Sequence, residues 1–176
     1  MRRVSLGLGE YRAGKAGAEQ WFIYGLGSCV GLILCDPTRQ VSAMAHVVLP
    51  EKGRSLSGEP AKYADTAVPF LLEQMERLGA ERSSVYAQMA GGARMLAISG
   101  LGDIGGRNAA ALRETLAEHG IPLVAERVGG TQGRTLRWDL STGRAVVSRV
   151  GAPDEILTPQ QYVYGEVPVY GRSASR

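Results

Sequence analysis

From Trp21 to Cys35 the chain is largely apolar and rich in β-forming residues, broken by Gly25 and Gly27 and then stopped by Asp36-Pro37. Short apolar runs bounded by turn residues read as buried strands, so this stretch is a strand, a tight glycine turn and a second strand. Val41 to Leu49 repeats the pattern and ends at Pro50. Any fold for this chain must therefore cover such strands.

Two segments have helical spacing. Ala64, Ala67, Val68, Leu71, Leu72, Met75 and Leu78 recur with a helical period, and Gly79 is a C-terminal signal. Pro69 lies inside this pattern and fits without a kink only if the helix begins near Asp65 or Thr66. A second helix is expected from about Asn108 to His119, with Leu112 and Leu116 on one face and Gly120-Ile121-Pro122 as its stop. Residues 11–20, rich in Ala and Gly, read as a loop, and Glu51 to Pro60 as another. Val85 to Ala90 and Leu123 to Val128 read as short strands. Arg134 to Leu140 and Ala145 to Val147 form an expected hairpin about Ser141-Thr142-Gly143. Two helices among some seven strands give an α+β fold.

A chain of 176 residues fits one domain. We place that domain at residues 1–157 and expect residues 158–176, which have no periodicity, to be a mobile or surface-draped tail. The net charge of +3 is spread over scattered arginines and only three lysines, and aromatic residues make up 6% of the chain, which argues against nucleic-acid binding. No apolar run approaches the roughly 20 residues that span a bilayer, and none follows the N-terminus as in a secretory signal. The expectation is a cytoplasmic protein without direct membrane insertion.

Cys29 and Cys35 lie roughly 20 Å apart if the chain between them is extended, too far for a disulfide. Two thiols and two histidines do not supply a structural zinc site of the usual spacing, so no metal and no cofactor are expected. One reactive thiol, or none, remains. Cys29 follows Gly25, Gly27 and Ser28, and such a turn lets a side chain project while leaving backbone N–H groups free for an oxyanion. His46 follows 17 residues later, in the next expected strand, where antiparallel pairing can bring it across from the thiol. The competing reading makes Cys29 a small buried hydrophobe and His46 a satisfied core residue. Cys35 has no glycine turn before it, and His119 suits a helix C-terminus. Gly91-Gly92 and Gly105-Gly106 read as packing glycines, Asn108 as a helix cap, and Arg107 as an ion-pair or carbonyl partner.

Gly25-Leu26-Gly27-Ser28-Cys29-Val30, followed by Ala45-His46-Val47-Val48-Leu49-Pro50, resembles the signature of the chemoreceptor glutamine deamidases, CheD. Gly7-Leu8-Gly9-Glu10-Tyr11, Lys62 to Ala67, Ala90 to Met95, Ile104 to Asn108 and Gly129-Gly130 match in the same order. The resemblance covers roughly residues 4 to 150. It implies a β-sandwich-like pair of mixed sheets covered by two helices, a three-layer fold similar to the catalytic domain of cytotoxic necrotizing factor. It also implies hydrolysis of receptor glutamine side chains to glutamate and ammonia through a Cys29 thioester. By motif Cys29 is the nucleophile and His46 the base, with Gly27 and Ser28 in the oxyanion turn. The implied partners are the cytoplasmic helices of methyl-accepting chemotaxis receptors and a CheC-type phosphatase.

The family pattern often places a threonine six positions before the cysteine, completing a Cys–His–Thr triad. Here that position is Ile23, so the imidazole must be oriented by a backbone carbonyl, a water or another residue. The alternative from a different class is a weakly active or inactive module that docks on receptor helices or on the phosphatase. A transglutaminase would share the acyl-enzyme but pass it to an amine.

Overall fold

The computed structural model describes residues 1–56, 58–95 and 102–165. Among the described residues ten strands form two five-stranded mixed sheets. The first sheet has the order β1 (Arg2–Ser5), β3 (Glu19–Leu26), β8 (Arg134–Asp139), β9 (Arg144–Ser148), β10 (Glu155–Ile156). The second has the order β2 (Tyr11–Lys15), β5 (Val41–Val47), β4 (Val30–Asp36), β6 (Tyr86–Gly91), β7 (Leu123–Val128). In each sheet one edge pair is parallel, β1 with β3 and β6 with β7, and every other pair is antiparallel.

Side-chain alternation sorts the core into two layers. On β4, Val30, Leu32 and Leu34 join Val41, Ala43, Ala45 and Val47 of β5 against the helices α1 (Ala64–Arg77) and α2 (Ile104–Glu118). Ile33 and Cys35, with Met44 of β5, turn the other way and pack on Trp21, Ile23, Leu26, Leu136 and Trp138 of the first sheet. Sheet, sheet and helices thus make three layers, the α+β arrangement expected. All seven residues of both β4 and β5 are buried, which is why they read as continuous runs rather than alternating ones.

The strand, glycine turn and second strand expected between Trp21 and Cys35 are present as β3, Gly27–Cys29 and β4; the two strands lie in different sheets, so the turn carries the chain from one layer of the sandwich to the other. Three expectations need correction. Residues 11–15 are strand β2, not loop. Among the described residues the strand pairs only with β5, and its half-buried Tyr-Arg-Ala-Gly-Lys sequence carries no apolar run. Helix α1 begins at Ala64, so Pro69 is its sixth residue; the main-chain hydrogen bond it forgoes is to Asp65, an exposed residue. Helix α2 begins a turn earlier than expected, at Ile104, with Gly105 and Gly106 inside it and the Asp103 carboxylate as its cap, accepting the Gly106 N–H at 2.9 Å.

The segment after β10 packs on the far end of the sandwich. Thr158 Oγ1 accepts the Ala145 N–H at 2.7 Å and donates to Gln88 Oε1 at 3.0 Å, and Tyr164 Oη lies 3.2 Å from Cys35 Sγ. Residues 166–176 of the expected tail lie outside the described residues. Among the described residues no helix is long and apolar enough to cross a membrane.

Candidate active site

The turn between the sheets, Gly27-Ser28-Cys29, is half-buried at one end of the sandwich. Its three carbonyls are all turned into the protein. The Gly27 carbonyl accepts the Ala93 N–H at 2.8 Å and the Cys29 carbonyl accepts the Gly92 N–H at 2.9 Å. The Ser28 carbonyl accepts Asn108 Nδ2 at 3.0 Å. A trans peptide is planar, so each carbonyl pinned inward turns the following N–H the opposite way. Neither the Ser28 nor the Cys29 N–H donates to a backbone acceptor among the described residues. Two adjacent N–H groups beside a thiol, neither given to a backbone acceptor among the described residues, are what an oxyanion requires.

The glycines around this turn have specific work. Gly91, at φ +118°, lets β6 end against the turn, where a Cβ would collide with the Cys29 carbonyl oxygen. On Gly105 a Cβ would strike the Ala93 oxygen and lie 2.6 Å from the Gly92 carbonyl carbon. Both packing assignments made from the sequence hold.

His46 sits near the end of β5, paired across from Gly31 of β4. Counting by two along β4, Cys29 falls on the same face as Gly31, so thiol and imidazole are diagonal neighbours on the face toward the first sheet. Such neighbours lie roughly 7–8 Å apart along the backbone, within reach of longer side chains. No hydrogen bond joins the two groups among the described residues. His46 is 7% exposed, and its Nδ1 lies 3.1 Å from the Leu6 carbonyl oxygen. A carbonyl only accepts, so Nδ1 carries the proton and Nε2 keeps the lone pair. The connection from β1 to β2 is itself fastened to this histidine: Gly9 N–H donates to the His46 carbonyl and His46 N–H to the Glu10 carbonyl, each at 3.0 Å.

The group that orients the imidazole is therefore a backbone carbonyl, one of the three alternatives open from the sequence. Ile23 is fully buried and packs in the inter-sheet core with Leu26 and Leu136.

Burial pushes the Cys29 thiol up, an effect its own backbone N–H, lying against the sulfur, partly offsets. Burial pushes His46 down, opposed by the hydrogen bonds at Leu6 and Gly7 and by the Glu10 charge. Both shifts favour neutral thiol and neutral imidazole in the free protein.

The remaining candidates separate cleanly. Cys35, at the other end of β4, is fully buried and its pKa is pushed up to about 12 by burial. His119 Nδ1 donates to the Thr115 carbonyl at 2.9 Å, a role at the end of α2. Arg107 is exposed, with no ion pair or carbonyl partner among the described residues, contrary to expectation. Asn108 does not cap α2. It lies fully buried within the helix, and Nδ2 reaches both the Ser28 carbonyl and the Val48 carbonyl, at 3.0 and 2.9 Å. A signal was available: Asn108 stands four residues before Leu112, on the apolar stripe, where a polar side chain needs partners. Among the described residues no group of three or more His, Cys, Asp or Glu is placed to hold a metal ion.

A family model described as "CheD chemotactic sensory transduction" matches residues 48–149. A protein of Symbiobacterium thermophilum named "Probable chemoreceptor glutamine deamidase CheD" is 48% identical over 161 residues, covering 89% of this chain and 98% of its own. A protein of the same name from Clostridium botulinum strain Hall is 38% identical over 155 residues, 86% of this chain and 95% of its own.

Proposed function

The chain belongs to the CheD family, and from that premise we propose that it deamidates glutamine side chains of bacterial chemoreceptors, with Cys29 as nucleophile and His46 as base. The observation that carries this reading is a thiol set beside two N–H groups that give to no backbone acceptor among the described residues and, on the same sheet face, a histidine whose Nδ1 is held by a carbonyl so that Nε2 is left basic.

The chemistry is acyl transfer. Nε2 of His46 takes the Sγ proton as sulfur attacks the glutamine Cδ, and the Ser28 and Cys29 N–H groups receive the oxyanion. Such a donor contributes roughly 3–4 kcal/mol to the transition state in well-measured enzymes. The imidazolium returns its proton to the departing nitrogen, the C–N bond breaks, and ammonia leaves a thioester. Water, deprotonated by Nε2, cleaves the C–S bond to give glutamate and the free thiol. The Leu6 carbonyl holds the Nδ1 proton through both halves and stabilises the imidazolium between them. No cofactor enters this scheme.

The test is ammonia release from a glutamine-bearing chemoreceptor fragment, together with the roughly 1 Da mass gain that accompanies replacement of an amide by a carboxyl. Both signals disappear in Cys29→Ala and His46→Ala. Wild-type release from Cys29→Ala refutes the assignment. A second reading, a docking module for receptors or a CheC-type phosphatase, draws on the burial that keeps both groups neutral; under it Cys29 alkylates slowly and at the same rate with and without His46. We place the protein in the cytoplasm, where both partners would meet it.

A further inference from the structure

We propose that Asn108 is a positioning residue for the oxyanion, turning the Cys29 N–H into the mouth of the site by holding the Ser28 carbonyl inward and tying it to the strand that carries His46. The inference rests on the reading of Cys29 as nucleophile. It assigns a role to the Ile104-Gly105-Gly106-Arg107-Asn108 motif, which the chemistry above leaves unused.

The argument begins with the peptide between Ser28 and Cys29. Its plane has one rotational choice that matters: carbonyl in and N–H out, or the reverse. In the structure the carbonyl is inward on Asn108 Nδ2, and the Cys29 N–H lies on the side of its own sulfur. The peptides on either side are held by main-chain donors, Ala93 and Gly92. For the Ser28 carbonyl the donor is a side chain. With a glycine two residues before Cys29, the turn has the freedom to flip this peptide unless something holds it.

Asn108 also spans the site. The same Nδ2 group donates to Val48, two residues beyond His46, so one amide fixes the thiol turn to the exit of the histidine strand. Its orientation is unambiguous, because a flipped amide would set Oδ1 against two carbonyl oxygens. Oδ1 itself is buried and has no hydrogen-bond partner among the described residues. A buried polar atom left unpaired is costly. A helix face kept only for packing would avoid that cost with alanine or leucine, so the amide is explained by what its donor end does.

The experiment compares two reactions of the same thiol in the full chain. Deamidation of a receptor fragment builds an oxyanion, whereas alkylation by iodoacetamide displaces iodide at a saturated carbon and builds none. In Asn108→Asp and Asn108→Ala, kcat for deamidation falls by about 10²- to 10³-fold, while KM and the Cys29 alkylation rate each stay within about threefold of wild type. Parallel loss of both reactions, or an unchanged kcat, overturns the proposal.

A measurement on the wild-type protein stands if the variants do not fold. A receptor peptide with an aldehyde in place of the target amide forms a thiohemiacetal with Cys29, and the Cys29 amide proton then moves downfield as it bonds the new oxygen. An unmoved Cys29 amide proton overturns the proposal. Failure of the underlying reading looks different: Cys29→Ala would still release ammonia.

Discussion

Gly105→Ala sets local propensity against packing, and the geometry decides which wins. Alanine is the better residue inside a helix by about 0.8–1.0 kcal/mol, so propensity alone makes the change stabilising. The new Cβ would lie 2.6 Å from the Gly92 carbonyl carbon, where carbons normally stay about 3.5 Å apart or more. The atoms it meets are main chain and cannot rotate away, so α2 must retreat by roughly 0.9 Å, the difference between those two distances. A retreat of that size carries Asn108, three residues on, out of range of the Ser28 and Val48 carbonyls, now 3.0 and 2.9 Å from Nδ2. Losing two net hydrogen bonds and leaving two partly buried carbonyls poorly paired costs about 3–4 kcal/mol. Net of the propensity gain, Gly105→Ala is destabilised by about 2–3 kcal/mol. Chemical denaturation monitored by tryptophan fluorescence measures it, with the exposed Ala110→Gly calibrating the propensity scale at a loss of about 1 kcal/mol. A midpoint for Gly105→Ala at or above wild type, with unchanged deamidation, refutes the close approach of α2 to the Gly92–Ala93 turn.

Two further outcomes follow from burial at the site. Because burial pushes His46 below the ordinary histidine range, more acid is needed to protonate Nε2, so the acid limb of kcat/KM lies on the acid side of that range. The raised Cys29 thiol carries the alkaline limb to the alkaline side of the ordinary cysteine range; a profile whose limbs close inside those ranges contradicts the neutral pair. At neutral pH iodoacetamide labels Cys29 alone, and mass mapping finds Cys35 modified only after unfolding, because it is fully buried with a pKa pushed up to about 12.

The sequence disclosed the elements whose pattern is intrinsic. β4 and β5 are apolar throughout because both faces are covered, and β8 alternates because only one is. It did not disclose β1, β2 or the two-residue β10, which pair at sheet edges and owe their conformation to a neighbour rather than to their own residues. The start of α2 was hidden for a related reason. Gly105 and Gly106 have poor helix propensity and are used there because the first turn of the helix packs against main chain and its own cap. The passage of the chain from β3 into a different sheet at β4 is a long-range fact that a local strand–turn–strand pattern cannot carry. At the site, the thiol and imidazole were legible because their chemistry resides in side chains. What places them is largely main chain, and so was not.

The Leu6 carbonyl has a consequence for how variation in this protein should be interpreted. Every residue type brings the same acceptor to position 6, so replacing Leu6 changes core packing but does not delete the hydrogen bond to His46. A point-substitution survey scored by activity would pass over the element that fixes the His46 tautomer, while lengthening or shortening the chain between Ser5 and Glu10 by one residue would shift that oxygen out of line. Position 23, relieved of the duty by a group no side-chain change can remove, is free to be isoleucine. In this protein tolerance to substitution and tolerance to insertion are therefore different maps, and the short connection from β1 to β2 is where they disagree most.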